Sequence, residues 1–310
     1  MNNVFSDKAA LSREKKIILK NVKNLISFFS QEVGERNPGK YENLQRARKF
    51  IFDSFTRHGH TPVEQTYRVE DKEVANIEVN IKGLKQPNNI VLIGAHYDTV
   101  LDSPGADDNA SALAALCEFF RLMSTQRFKK TIRFVAFTLE EPPYFSSKDM
   151  GSMRYAANCF KKKEKIDLMV SMDMIGFSSN KIAQDCPSSL PKNKFPKKGN
   201  FLAVISFPSV ANYVYLWKKI YNSHAKKKIY DIIGPASIPG VSLSDHYPFI
   251  QNGFPAILLS DTAFYRNKNY HTAGDKIETI NFNFLVENIM NIYLTLCEIL
   301  NLESISEETI

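Results

Sequence analysis

Ile90-Val91-Leu92-Ile93-Gly94-Ala95-His96 is an unbroken apolar run that closes on an imidazole. With no polar alternation, it predicts a strand over residues 89–95 that is covered on both faces. Similar runs recur at 130–139 and 167–174, and shorter ones at 201–205 and 255–260. Helical spacing of apolar residues lies between and after them. It predicts an amphipathic helix over 110–123 and further helices over 153–160, 211–225 and 284–300. Strands that alternate with helices imply an α/β fold, a three-layer α/β/α sandwich around a mixed, mostly parallel sheet. Upstream, residues 19–29 and 41–57 read as helices separated by Asn37-Pro38-Gly39, and 64–69 and 74–81 read as a strand pair. No internal repeat is visible. The expectation is one domain over residues 1–310, with its N-terminal helices at about 10–60. The polar, proline-containing segment 178–200 is expected to be a functional loop rather than a linker.

The composition narrows the function. The chain has 310 residues, 44% of them hydrophobic and 12% aromatic, which is enough for a sizeable core. No stretch approaches the ~18 apolar residues of a membrane span. The first ten residues lack the apolar centre of a secretory signal, which reads as a cytoplasmic or processed chain. The net charge of +7 is concentrated in lysine runs at 161–163, 192–198 and 226–228. No nucleic-acid motif accompanies them, so they read as solvated helix ends and a loop. Four cysteines, Cys117, Cys159, Cys186 and Cys297, show no paired spacing and call for no disulfide.

Chemistry gathers where the apolar runs end. His96 is followed by Tyr97-Asp98, a carboxylate placed to hold the second ring nitrogen of a ligating histidine. Asp107-Asp108-Asn109 opens the 110–123 helix, so its carboxylates are candidates both for helix caps and for bridging two cations ~3.5–4 Å apart. Glu140-Glu141 ends the 130–139 run before Pro142-Pro143, a pairing that offers one ligand and one proton acceptor. Asp173 lies within Val170-Ser171-Met172-Asp173-Met174-Ile175, where a lone buried carboxylate is costly unless paired or metal-bound. His271, with Asp275 four residues on, completes the set. His96, Asp108, Glu141, Asp173 and His271 are two imidazoles and three carboxylates, an N/O set suited to a pair of zinc-like cations. Glu140 is left over as a base. Together they point to metal-assisted hydrolysis.

In this order the five segments resemble the co-catalytic zinc aminopeptidases of clan MH, the aminopeptidase S and aminopeptidase Y type, from about residue 75 to residue 300. The resemblance implies the zinc-exopeptidase (phosphorylase/hydrolase-like) fold. It also implies two Zn2+ or other divalent ions, with His96 and Asp173 on one and Glu141 and His271 on the other. Asp108, rather than Asp107, is the implied bridge, because Ala110-Ser111 aligns with the Ala-Ser that follows the family's bridging aspartate. Glu140 takes the general-base position, Asp98 orients His96, and Tyr270 matches a tyrosine that stabilises the tetrahedral intermediate. Ser244-Asp245-His246 resembles a segment near the substrate. Two departures stand out. Pro142-Pro143-Tyr144-Phe145 begins a longer excursion before Gly151-Ser152 than the family shows, and Ala112 replaces the usual glycine.

The expected function is a metal-dependent exopeptidase, an aminopeptidase acting on a peptide or small amide, with no nucleic-acid or membrane partner. The alternatives on the same fold are a glutaminyl-cyclase-like acyltransferase, an amide deacylase, and a carboxypeptidase or dipeptidase whose Arg266 binds a substrate carboxylate. A non-enzymatic binding module requires the loss of ligands, and none is missing here.

Overall fold

The computed structural model describes residues 8–187 and 195–305. Lys192 and Lys194 of the second lysine run, the middle of the 178–200 segment, the first seven residues and the last five lie outside them. Eight strands form one sheet: β1 (Val63–Val69), β2 (Lys72–Ile81), β3 (Gln86–His96), β4 (Lys130–Phe137), β5 (Lys165–Met172), β6 (Ala203–Ser206), β7 (Tyr230–Ile233) and β8 (Ala256–Ser260). Their order is β1-β2-β4-β3-β5-β8-β6-β7. The centre, β4-β3-β5-β8, is parallel, while β1, β2 and the β6–β8 pairing are antiparallel. The sheet is therefore mixed, as expected.

Successive strand residues point to opposite faces, and the core divides accordingly. Val91, Ile93 and Ala95 of β3, with Ile132, Phe134 and Ala136 of β4, pack into the larger core. That core also holds α1 (Lys8–Ser27), α2 (Tyr41–Thr56), α3 (Ala112–Met123), α5 (Ala211–His224) and α7 (Phe282–Ile299). Ile90 and Leu92, with Val135 and Phe137, face the opposite way and pack on α4 (Gly151–Lys161) and α6 (His246–Gln251). This is the three-layer α/β/α sandwich.

Three elements differ from expectation. The helix after β3 begins at Ala112, and all of its residues except Arg121 are buried, so it is enclosed rather than amphipathic. Asp108 and Asn109 have non-helical backbone (φ −103°, ψ 89° and φ −129°, ψ 33°), which separates them from that helix. β7 and α6 carried no readable pattern: one has four residues at the sheet edge, and the other has six with Pro248 among them. The described parts of the 178–200 segment pair with each other, Ser179 N on Gly199 O at 2.8 Å and Gln184 N on Lys197 O at 3.0 Å. Among the described residues no helix is long and apolar enough to cross a membrane, and all four cysteines are free thiols.

Candidate metal centre

Because the four central strands are parallel, their C-terminal ends share one edge, where open α/β sheets bind ligands. His96 is the last residue of β3, Glu140 and Glu141 follow β4, and Asp173 follows β5. His271 arrives on the loop after β8, and Asp108 on the loop before α3. All five expected ligands and Glu140 are thereby brought together. Asp173 is not the enclosed carboxylate its apolar neighbours suggested: β5 stops at Met172, and its side chain is 20% exposed.

Asp108 lies between two groups. Its Oδ1 is 3.4 Å from His96 Nε2, and its Oδ2 is 3.3 Å from His271 Nε2. His96 Nε2 also lies 3.8 Å from Asp173 Oδ1 and 3.8 Å from Glu140 Oε2. His271 Nε2 is 3.1 Å from Glu141 Oε2. Two triads with metal-ligand spacing result, His96–Asp108–Asp173 and Asp108–Glu141–His271, sharing the central aspartate. His96, Glu140 and Glu141 form a third such grouping. His96 Nδ1 lies 3.2 Å from the Asp98 carbonyl, so the tautomer that donates there leaves the Nε2 lone pair facing the site. His96 Nε2 and Glu141 Oε1 are buried with no hydrogen-bond partner. Orphaned buried acceptors among imidazoles and carboxylates are what a bound divalent cation satisfies, so the residues fit one.

The supporting hydrogen bonds refine the expected role of Asp98. Its carboxylate is 3.6 Å from His96 Nδ1, but it accepts the backbone N–H groups of both Glu140 and Glu141, at 3.1 and 3.0 Å. That clamp, with Leu139 in the left-handed region (φ 55°), turns two consecutive acids into one site. Asp275 does the same for the other ligand loop, accepting from Asp107 N and Asp108 N at 2.9 Å each. The cap reading of residues 107–109 is overturned. Asp107 Oδ1 accepts from Gly176 N, and Asn109 spans Met172 O and Met174 N past β5. Tyr270 stacks on His271, with centroids 3.7 Å apart at 22°.

Other candidates fall away. Arg266 is 3% exposed: Nε donates to Gln184 Oε1 and Thr262 Oγ1, Nη1 donates to Phe201 O, and Nη2 is buried, so the guanidinium does not face a substrate. His246 is a core histidine held by Val241 O at 2.8 Å, and burial lowers its pKa to about 4. The residue that sequence reasoning missed is Arg36. Asp245, part of the segment expected near the substrate, is fully buried.

Charges in the centre are perturbed strongly. Burial alone would lower His96, but Glu140, Asp108, Asp173 and Asp98 overcome it and hold the imidazole well above its ordinary value. His271 is pushed up to about 10 in the same way, by Asp108 and Glu141 against burial. Asp108 is held low despite burial by the two imidazoles. Burial, then Asp108, pushes Glu141 up to about 8. Burial first, with neighbouring carboxylates, raises Asp275 to about 8 and Asp245 to about 7.

The sign of the pH effect follows. A group whose pKa is higher folded than unfolded stabilises fully below its unfolded value and loses that contribution as pH rises through the folded one. For Glu141, Asp275 and Asp245 the window runs from roughly pH 4 to pH 8. His271 extends it in the same direction, and Asp108 acts oppositely only in acid. The metal-free chain is therefore expected to melt at a lower temperature at pH 8 than at pH 6, and added zinc to raise Tm more at pH 8. Calorimetry of the chelated protein checks this. A Tm that climbs across the window contradicts it.

The model of peptidase family M28 matches residues 76–296. The chain belongs to peptidase family M28. This M28 chain is a metallopeptidase. It is 33% identical over 271 residues to the uncharacterized protein YfbL of Escherichia coli (strain K12), covering 84% of this chain and 82% of the relative. It is 30% identical over 210 residues to aminopeptidase YwaD of Bacillus subtilis (strain 168), covering 65% of this chain but 40% of that longer relative. Its fold matches BSAP, a zinc aminopeptidase from Bacillus subtilis, with TM-score 0.72 at 16% identity, over 92% of this chain and 96% of that one. It also matches Porphyromonas gingivalis glutaminyl cyclase, with TM-score 0.65 at 20% identity, over 89% and 97%.

Proposed function

We propose that this chain is an aminopeptidase, acting as one catalytic unit with two zinc ions at the Asp108-centred site. The observation that carries this reading is Asp108, whose two oxygens face different histidine–carboxylate groups 3.4 and 3.3 Å away. His96 and Asp173 would hold one ion, Glu141 and His271 the other, with Asp108 between them. Bound there, a zinc pair supplies Lewis acidity, lowering the pKa of water toward neutrality and polarising a carbonyl. Glu140, beside His96 but not needed in either Asp108 triad, takes the proton from that water and delivers it to the leaving amine. Burial, with Glu141 and Asp173 nearby, holds its pKa well above the ordinary carboxylate value. Tyr270 keeps its phenolic proton, its pKa raised by burial and nearby carboxylates, and can donate to the developing oxyanion. Asp98 and Asp275 fix the two ligand loops through their backbone N–H groups.

The aminopeptidase polarity is supported by an apolar pocket that opens beside Asp173 and Tyr270. Ile205, Ile232, Val241, Leu243, Leu258 and Phe264 line it. Such a wall suits an apolar side chain on the residue being released, beside the partly exposed carboxylate of Asp173. The burial of Arg266 withdraws one of the cations, alongside the lysines, that a carboxypeptidase or dipeptidase reading relied on.

The test is a panel of aminoacyl-anilides. Leucine anilide is expected to be cleaved more efficiently than alanine anilide, by on the order of 10-fold or more in kcat/KM. N-acetyl-leucine anilide and chelated enzyme are expected to give no cleavage. Cleavage of blocked substrates, or cyclisation of an N-terminal glutamine peptide in place of hydrolysis, would overturn the assignment.

A further inference from the structure

Arg36 belongs to the N-terminal segment between α1 and α2, ahead of the residues that carry the metal centre. It is 0% exposed, and its guanidinium hydrogen-bonds to backbone carbonyls. Nε donates to Tyr97 O at 2.9 Å, immediately after His96. Nη1 serves Phe29 O, Gly34 O and Pro104 O at 2.7, 2.8 and 2.9 Å, and Nη2 serves Gly105 O at 3.1 Å. The backbone joins in: Arg36 N donates to Thr99 Oγ1 at 2.9 Å, and Thr99 N donates to Arg36 O at 2.8 Å. One side chain thus ties the segment that follows His96 to the segment that precedes Asp107-Asp108. On the far side of that second segment, Asp275 accepts from Asp107 N and Asp108 N. Residues 104–108 are consequently held from both sides.

The space around this fork is closed. Gly105 has φ +60°, and a Cβ there would stand 2.3 Å from Asp108 O, 2.4 Å from Thr99 Cγ2 and 3.0 Å from Arg36 Nη2. A buried guanidinium normally pairs with a carboxylate. This one has no carboxylate among its hydrogen-bond partners, while Asp98, Asp275, Asp108 and Glu141 surround it at longer range. Such a group sets where backbone goes and leaves a positive charge beneath a dense acidic site. Lysine could supply the charge but not the planar set of donors reaching four segments.

We propose that Arg36 is a positioning residue of the metal centre: its guanidinium fixes the spacing of His96 and Asp108, and thereby how tightly the metal pair is held. The inference rests on the two-metal reading, and the test separates them. Arg36→Lys is compared with the unsubstituted full-length chain at a temperature where near-UV circular dichroism shows both folded, and zinc affinity is measured by chelator competition. The expected result is at least a ~10-fold weaker zinc affinity, the scale typical of lost outer-shell support, with a matching fall in kcat and little change in KM. Wild-type zinc affinity in folded Arg36→Lys overturns the inference. If Arg36→Lys does not fold, Arg36→Gln decides, since its amide keeps a planar donor but removes the charge and most of the fork that ties Tyr97 O to Gly105 O. Weakened zinc binding in that variant supports the inference, and unchanged binding overturns it. An unsubstituted chain that binds no zinc overturns the two-metal reading itself, and this inference with it.

Discussion

Glu140→Gln is expected to keep its full complement of metal and lose turnover by a factor of ~10²–10⁴, the usual worth of a positioned general base. At 1.36 kcal/mol per decade, that is roughly 3–5 kcal/mol of transition-state stabilisation. The substitution is nearly isosteric, and Glu140 is not needed in either Asp108 triad, so the ligand geometry should survive. It also removes a carboxyl whose pKa burial has raised far above the ordinary value. The metal-free variant should therefore be no less stable than the parent at neutral pH. Elemental analysis for zinc together with kcat on leucine anilide separates the outcomes. Full activity removes Glu140 from the reaction. Lost zinc would instead make it a ligand, as the third grouping with His96 and Glu141 would have it.

Asp108→Asn is expected to be more damaging still. An amide oxygen replaces one carboxylate oxygen, and an NH2 group faces the other histidine, 3.3 or 3.4 Å away in the parent. One donor to the pair is lost, and a proton-bearing group stands where a lone pair is needed. Zinc affinity should fall by at least ~10²-fold, and hydrolysis should become undetectable. The substitution also removes the anion between two raised imidazoles, and breaking such a buried pair typically costs about 3–5 kcal/mol. Zinc content after dialysis and a thermal melt of the metal-free variant check both halves. Retention of two tightly held ions would mean that Asp108 is not the bridge.

The centre was legible in the sequence to the extent that ligands end apolar runs. His96 closes the β3 run, Glu140-Glu141 follows β4 and Asp173 follows β5, so a strand pattern alone delivers them to one edge of a parallel sheet. His271 follows no strand directly and was found through its flanking motif. Supporting interactions were not legible, because they are made by backbone groups that tertiary structure brings together. Asp98 holding Glu140 N and Glu141 N, and Asp275 holding Asp107 N and Asp108 N, leave no trace in residue spacing. Arg36 sits in Gly34-Glu35-Arg36-Asn37-Pro38, which by hydropathy belongs on the surface, and only carbonyls from distant segments make its burial tolerable. The cap reading of residues 107–109 failed for a related reason: Asp107 and Asn109 serve the turn after β5 and Asp108 faces the two histidines, not the first turn of α3. The excursion at Pro142 is a folded turn. Tyr144 N and Phe145 N return to Glu141 O at 3.0 and 3.2 Å, and Gly151 N closes it on Thr138 O at 2.8 Å.

The most direct test of the two-metal centre is a titration of chelated, full-length protein with zinc, counting bound ions per chain while following cleavage of leucine anilide. Two ions per chain are expected, with activity appearing as the site fills and weaker uptake at pH 6 than at pH 8, because protons on His96, His271 and Glu141 must leave. Saturation at a single ion with full activity, or activity that survives complete removal of metal, would contradict it.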